Sequence, residues 1–294
     1  MRRRLRGRNN AADQLSERDA HARGQHVAVK TDQPSEIGEY DAAMQTLLQL
    51  LWGEGFLSPG GAAEVAYLLE GSDITGCSVL DIGCGLGAVD ELLITRHGAR
   101  AVLGVDVDPG LLDTMTQRIE RAGLGAQVTS LCVKPGPQPL AGDRYDVVFT
   151  KDAIVQIPDK AAVFADAYRL LRPGGSLIVS DWLRGGTGAY SAEMLEYFRL
   201  EGIAYNMANM TETTAALAHV GFIDIEARDR SEWYRDLARR ERAALEGELR
   251  SLVTERIGAE RAEHFVNNWR QLVLVLERGE LRPTHLKARK RGGE

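Results

Sequence analysis

Apolar residues recur along this chain in two alternating rhythms. Short runs at 79–82, 101–105, 127–133, 145–149 and 176–181 have the length and β-branched content of buried strands. Between them the apolar positions fall at helical spacing. Asp108 and Pro109 supply an N-cap and a first-turn proline for a helix through 119, and Pro158 opens a helix expected to reach 172. Upstream, Met44, Leu47, Leu48 and Leu51 mark a helix over 41–53, followed by another over 61–69. Downstream, helices are expected at 191–202 and 211–220, with strands at 222–225 and 284–289. Residues 231–277 read as two long, charged amphipathic helices, and 1–37 lack periodicity and read as a disordered tail. Strand and helix alternate at a pitch of about 25 residues, which predicts an α/β fold with a parallel sheet and helices on both faces.

The first strand carries the most specific chemistry. Val79-Leu80-Asp81-Ile82 runs into Gly83-Cys84-Gly85-Leu86-Gly87, and the second strand ends on Asp106, 21 residues after Gly85. Glycines let the backbone approach a ligand, and a carboxylate on the next strand can accept both hydroxyls of a ribose. Gly83, Gly85 and Ala88 also satisfy the relaxed dinucleotide pattern G-x-G-x-x-A, so the spacing alone leaves a nicotinamide cofactor open. Asp81 argues against it: a carboxylate two residues before the first glycine can meet an ammonium but would repel a pyrophosphate.

Composition sets the outer limits. A chain of 294 residues that is 44% hydrophobic can bury one sizeable core and a helical annex. The net charge is −6, but residues 1–30 hold eight Lys/Arg against three Asp/Glu, which leaves −11 for the rest. An acidic body is a poor nucleic-acid binder. The five arginines within the first eight residues are followed by no apolar stretch, so they do not read as a secretory signal. No run approaches the length needed to span a membrane. Cys77, Cys84 and Cys132 have neither metal nor disulfide spacing, and the six histidines are scattered. These features predict a cytoplasmic protein without a metal site.

From about residue 55 to 182 the series resembles the class I S-adenosylmethionine-dependent methyltransferases: Asp81 to Gly87, Asp106, the strand Tyr145 to Phe149, and Leu170-Leu171-Arg172-Pro173-Gly174-Gly175 before the fifth strand. The resemblance implies a doubly wound, seven-stranded, mostly parallel Rossmann-like methyltransferase sheet with a helical lid, and S-adenosyl-L-methionine as cofactor. It places the lid helices at 38–70, the core at 71–230, inserted helices at 231–277, and the last strand and tail at 278–294. Cofactor contacts are expected from Ser58, Asp81, Gly83, Gly85, Gly87, Asp106, Val107, Val133, Lys134 and Lys151. The inserted helices would cover the substrate or merely shield a sheet edge; the sequence leaves both open.

Over roughly 38–290 the chain is similar to the phosphoethanolamine N-methyltransferases. The similarity rests on Trp52-Gly53-Glu54-Gly55-Phe56-Leu57-Ser58-Pro59-Gly60-Gly61, on Thr150-Lys151-Asp152-Ala153-Ile154-Val155-Gln156-Ile157, and on the closing His285-Leu286-Lys287-Ala288-Arg289-Lys290. It implies a cofactor contact at Ser58, a catalytic lid tyrosine at Tyr40, and a partner for the substrate's cationic head at Asp152. The chain departs from that pattern where the chemistry is done. Gln156 stands for the family's catalytic histidine and Trp182 for a tyrosine. Glu201 and Leu272 stand where phosphate-binding Arg and Lys are expected, and Lys134 replaces an adenine-binding aspartate.

A phosphate monoester calls for Arg or Lys clamps, and Glu201 and Leu272 supply none. A primary ammonium must lose a proton before it attacks a methyl group, and glutamine cannot take it. A thioether needs no base. The expected partner is therefore a small zwitterionic amino acid, with methionine sulfur the first candidate, giving S-methylmethionine. N-methylation of glycine, sarcosine or dimethylglycine comes second and phosphoethanolamine third. A non-catalytic cofactor-binding protein is the alternative of a different class. Asp152, Trp182 and Tyr40 could stabilise a cationic product, although Trp182 reads equally well as core packing. Tyr190, Tyr197 and Tyr205 could line the pocket, and Arg184, Arg199 and Arg270 are candidate carboxylate partners. The sequence does not specify an oligomeric state.

Overall fold

A computed structural model of the chain describes residues 40–203 and 205–293. The tail expected to be disordered over 1–37 lies outside the described residues. The elements run α1 (Ala42–Trp52), α2 (Gly61–Leu69), β1 (Ser78–Ile82), α3 (Ala88–Thr95), β2 (Ala101–Asp106), α4 (Pro109–Arg121), β3 (Val128–Cys132) and β4 (Tyr145–Lys151). A 3₁₀ turn (Ile154–Gln156) leads to α5 (Lys160–Leu170), β5 (Leu171–Arg184), α6 (Ala192–Glu201), α7 (Met210–Val220) and β6 (Ile223–Asp229). The chain closes with α8 (Ser231–Glu246), α9 (Arg250–Ile257), α10 (Ala259–Glu277) and β7 (Leu281–Arg289).

The seven strands form one sheet in the order β3-β2-β1-β4-β5-β7-β6. The first five pair in parallel, and β7 runs antiparallel to both of its neighbours. The order reverses between β1 and β4, and in an open α/β sheet that switch point leaves a crevice at the carboxyl ends of the strands. Period-two alternation builds the two faces. Val79, Val147 and Ile178 join α2, α3 and α4 in one apolar cluster, whereas Leu80, Val148 and Leu177 join α5 and α7 in another. A third cluster takes in α1, α6, α8 and α10, with Leu47, Tyr197, Phe198, Phe265 and Trp269 among its buried members.

The region 231–277 holds three helices where two were expected. The break at Gly258, with φ +86°, separates α9 from α10, and a left-handed backbone there suits glycine alone. α5 begins at Lys160 because Asp159, rather than Pro158, provides the N-cap by accepting from the Ala162 amide. β5 is longer than expected because β7 pairs with it continuously from Ser176–Arg289 to Arg184–Leu281. Among the described residues no helix is long and apolar enough to cross a membrane.

Two polar contacts fasten α1 to the annex. Glu241 on α8 accepts from the indole nitrogens of Trp52 on α1 (2.6 Å) and Trp269 on α10 (3.0 Å). Asp41 caps α1 by accepting from the Met44 amide at 2.8 Å and pairs with Arg261 on α10. Burial works against the Asp41 carboxylate, but the Met44 amide and Arg261 outweigh it and hold its pKa below the ordinary value. Its stabilising effect is therefore present above the unfolded carboxylate pKa and is lost as pH falls through the lower folded value. Asp41→Ala is expected to cost about 1 kcal/mol at pH 7 in urea unfolding. The difference from wild type should vanish in acid, once the native carboxylate is protonated.

Candidate active site

Two connected cavities open at the switch point. The larger, of about 730 Å³, is lined by the glycine loop, the ends of β1, β2 and β4, and the 55–58 segment. Gly83 turns with φ +79°, and a Cβ there would stand 2.2 Å from the Ala153 Cβ, so the loop lies directly against the segment after β4. Gly87, with φ +80°, caps α3 and does not reach the cavity. Asp106 is aimed by two backbone donors, with Oδ2 accepting from the Gly85 amide and Oδ1 from the Asp108 amide, each at 3.0 Å.

Asp81 is the anomaly of this cavity. It is 2% exposed, and its Oδ1 has no hydrogen-bond partner among the described residues. Burial pushes its pKa well above the carboxylate range, the Asp90 and Asp106 charges add to that, and Lys151 opposes it. An unpaired buried acceptor is costly until a donor arrives, and a ligand ammonium would supply one. The cradle at the glycines and the orphaned Asp81 oxygen fit S-adenosylmethionine, whose methionine portion carries an ammonium and whose ribose carries two hydroxyls. Ser58, Val107, Val133 and Lys134 line the same cavity.

Asp152 sits where the cavities meet. It follows β4 in a left-handed conformation (φ +58°), with its amide donating to the Ser180 carbonyl at 2.8 Å. Its Oδ1 accepts from the Ser180 hydroxyl (2.7 Å) and its Oδ2 from the Lys151 ammonium (2.8 Å). Lys151 also donates to the Ser58 hydroxyl (2.8 Å) and the Pro59 carbonyl (3.0 Å). An ammonium has three donors, and those of Lys151 reach protein neighbours while the side chain also lines the larger cavity. Gln156 lies on the 3₁₀ turn, beneath which Lys160 donates to the Ile154 carbonyl.

The smaller cavity, of about 50 Å³, shares Tyr40, Leu57, Ser58, Asp152 and Gln156 with the larger. Seven aromatic rings line it: Tyr40, Trp52, Trp182, Tyr197, Tyr205, Tyr234 and Trp269. Among the described residues its only charged lining residues are the carboxylates Asp152 and Glu201. Trp182 both faces this space and packs edge-on against Tyr234 at 4.9 Å. Glu201 and Leu272, at the positions where phosphate-binding cations would be expected, are both in its wall.

The proposed carboxylate partners lie elsewhere. Arg184 donates to the Gly188 carbonyl and stacks on Tyr190, Arg199 pairs with Glu196, and Arg270 with Glu246, all outside either cavity. Tyr190 likewise lines neither. The sequence reading missed Trp52, Tyr234 and Trp269 as lining residues. Trp52 stood inside a quoted motif, but nothing local marks Tyr234 or Trp269.

A methyltransferase-domain family model matches residues 79–175. The chain is 27% identical over 221 residues to phosphoethanolamine N-methyltransferase 1 of Arabidopsis thaliana, an alignment covering 75% of this chain and 44% of that protein. It is 26% identical over 212 residues to methyltransferase GfsG of Streptomyces halstedii, covering 67% of this chain and 76% of that one. The chain thus spans less than half the length of the plant relative. In fold it is similar to Haemonchus contortus phosphoethanolamine N-methyltransferase 2, solved with phosphomonomethylethanolamine and S-adenosylhomocysteine (TM-score 0.77, 24% identity, 84% of this chain and 57% of that one). It is also similar to a putative sarcosine dimethylglycine methyltransferase from Galdieria sulphuraria (TM-score 0.73, 16% identity, 86% and 98%).

Asp106→Ala should weaken S-adenosylmethionine binding by about 2–3 kcal/mol in calorimetry, since a charged acceptor for two hydroxyls is lost. Gly83→Ala should abolish the thermal shift given by S-adenosylhomocysteine, because the new methyl collides with Ala153. A domain match running from β1 to the start of β5, over a cradle of this kind, makes residues 79–175 a methyltransferase domain, similar to those of the class I S-adenosylmethionine-dependent enzymes.

Proposed function

We propose that the chain transfers a methyl group from S-adenosylmethionine to a small acceptor that leaves as an onium cation, with the thioether of methionine as the leading acceptor. The smaller cavity carries this reading: seven rings and two carboxylates, with no Lys, Arg or His among the described residues of its wall. Aromatic faces attract sulfonium and ammonium groups, and a phosphate would meet only π faces and negative charge.

S-adenosylmethionine in the larger cavity supplies an electrophilic methyl, and its transfer to a thioether forms one carbon–sulfur bond and breaks another without releasing a proton. The residues of this chain do the positioning. Tyr40, Ser58, Asp152 and Gln156 form the shared rim, where a nucleophile would be held about 3 Å from the methyl carbon. Trp182, Tyr234 and Trp269 exclude water and present π faces to the product charge. Gln156 can orient the acceptor through its amide but takes no proton. Asp152 meets the developing cation with its geometry already set by Lys151 and Ser180.

N-methylation of glycine, sarcosine or dimethylglycine is the second reading. It is favoured by Glu201, whose pKa burial raises, so that this carboxylate could accept a proton from an ammonium. Mass spectrometry of products from methionine, glycine, sarcosine, dimethylglycine and phosphoethanolamine separates the readings, and the proposal expects S-methylmethionine. With both methionine and S-adenosylmethionine saturating, kcat should be nearly flat from about pH 6 to 8.5, because neither the nucleophile nor a catalytic base must deprotonate. A steep rise with pH and an N-methylated product would overturn the thioether reading. Asp152→Asn, which keeps an oxygen acceptor beside Lys151, is expected to lower kcat/KM at least about 100-fold while leaving S-adenosylhomocysteine affinity within a few-fold. Loss of both together would make Asp152 a cofactor or structural residue.

A further inference from the structure

Within the smaller cavity the two carboxylates are not equivalent. Asp152, at the rim, carries its own counter-charge in Lys151. Glu201, at the C-terminus of α6, has no Lys, Arg or His within ion-pairing distance among the described residues. Its Oε2 accepts from the Asn268 amide at 2.6 Å, and Asn268, 1% exposed, leaves its own Oδ1 without a partner. Glu201 is enclosed by protein yet keeps some accessible surface, and it lines the cavity. Burial drives its pKa up, while Asn268 and the Tyr197 hydroxyl oppose that rise. The Tyr197 and Tyr205 hydroxyls, 3.3 Å apart, complete this end of the wall. Glu201 does not line the larger cavity, whereas Tyr40, Ser58, Asp152 and Gln156 line both.

We propose that Glu201, steadied by Asn268, is the specificity residue of the acceptor pocket and binds an ammonium group at the end of the acceptor remote from the atom that is methylated. This rests on the transfer reading above and deepens it. The nucleophile has to reach the rim, next to the methyl donor, so a cation at Glu201 belongs to a second functional group of the same small molecule. Methionine has that layout, with a thioether at one end and an α-ammonium at the other. Glycine and its N-methyl derivatives have a single nitrogen, which would have to serve at both places. A phosphorylated amine would bring close to two negative charges, remote from its ammonium, against an uncompensated carboxylate, whereas the single carboxylate of methionine stays beside the ammonium that Glu201 holds.

Calorimetry on the full chain saturated with S-adenosylhomocysteine tests this with three thioethers: methionine, 3-(methylthio)propylamine and 3-(methylthio)propionate. Wild type is expected to bind the two ammonium-bearing probes at least about 10-fold more tightly than the propionate, the scale of one buried charge contact. Glu201→Gln keeps the shape and an acceptor for Asn268, and should erase that preference by weakening the first two and leaving the third unchanged or tighter. An unchanged preference in Glu201→Gln overturns the assignment, as does a wild type that favours the propionate or binds no ammonium-bearing probe. A Glu201→Gln chain that no longer melts cooperatively or binds S-adenosylhomocysteine marks Glu201 as structural and overturns it too. Product analysis on parallel samples, with S-adenosylmethionine in place of S-adenosylhomocysteine, keeps the two proposals apart. Ammonium-dependent binding without methylated product rejects thioether transfer and retains Glu201 as the cation subsite. Methylated product with no dependence on Glu201 does the reverse.

Discussion

The buried Lys151–Asp152 pair is the contact on which the site's geometry depends. Both side chains are nearly inaccessible (3% and 8%), and each is saturated by neighbours from a different part of the fold. Lys151 draws Ser58 and Pro59 onto the end of β4, and Asp152 reaches across to Ser180 on β5. A buried ion pair need not stabilise a fold, since desolvation offsets the attraction, but removing one partner leaves a charge stranded at a cost of about 3–5 kcal/mol. Here the pair confers position. It holds the 58–59 segment against the strand ends and keeps a left-handed aspartate oriented where the cavities meet.

Around that fixed point the acceptor wall is assembled from far apart in the chain. Trp52 comes from α1, Trp182 from β5, Tyr197 from α6, Tyr234 from α8 and Trp269 from α10. Glu241 joins two of these rings by accepting from both indoles, with Trp52 and Trp269 6.3 Å apart. Burial pushes the Glu241 pKa up, and the two N–H donors work against that rise. A carboxylate kept in an apolar annex to pin two tryptophans makes the cage a rigid part of the fold. The helices after β6 thus furnish the acceptor wall through Tyr234, Trp269 and Leu272, and also pack along β7.

Legibility in the sequence followed the range of the interactions. The glycine loop, Asp106 and the alternation of strand and helix are local patterns, and Gly83, Gly85 and Asp106 line the larger cavity, while Gly87 turns the chain into α3 instead. Gln156 stood in a quoted motif next to β4 and lines both cavities. The partners of Lys151 were not legible, because Ser58, Pro59 and Asp152 become its neighbours only when the chain folds. The arginines were misjudged for a related reason. Arg199 and Arg270 sit on the outward faces of their helices, where nearby glutamates hold them, and helical spacing alone does not say which face a neighbouring element will cover. Tyr234 and Trp269 had no local signature, since an aromatic on an amphipathic helix reads the same over a core as over a cavity.

The proposed reaction explains why such a wall would be aromatic. Moving a methyl group from a sulfonium to a thioether leaves the total charge unchanged, and the positive centre shifts by a short distance across the rim. A free carboxylate at the rim would bind one end state much better than the other and hold the product. Asp152, already compensated by Lys151, presents a weaker and more even field, and π faces attract a cation without a sharp minimum at one point. An uncompensated carboxylate is useful only where the charge does not move. Glu201 occupies such a place, in the smaller cavity and away from the larger, where a stationary ammonium can be held throughout turnover while the reacting sulfur changes charge beside Tyr40, Asp152 and Trp182.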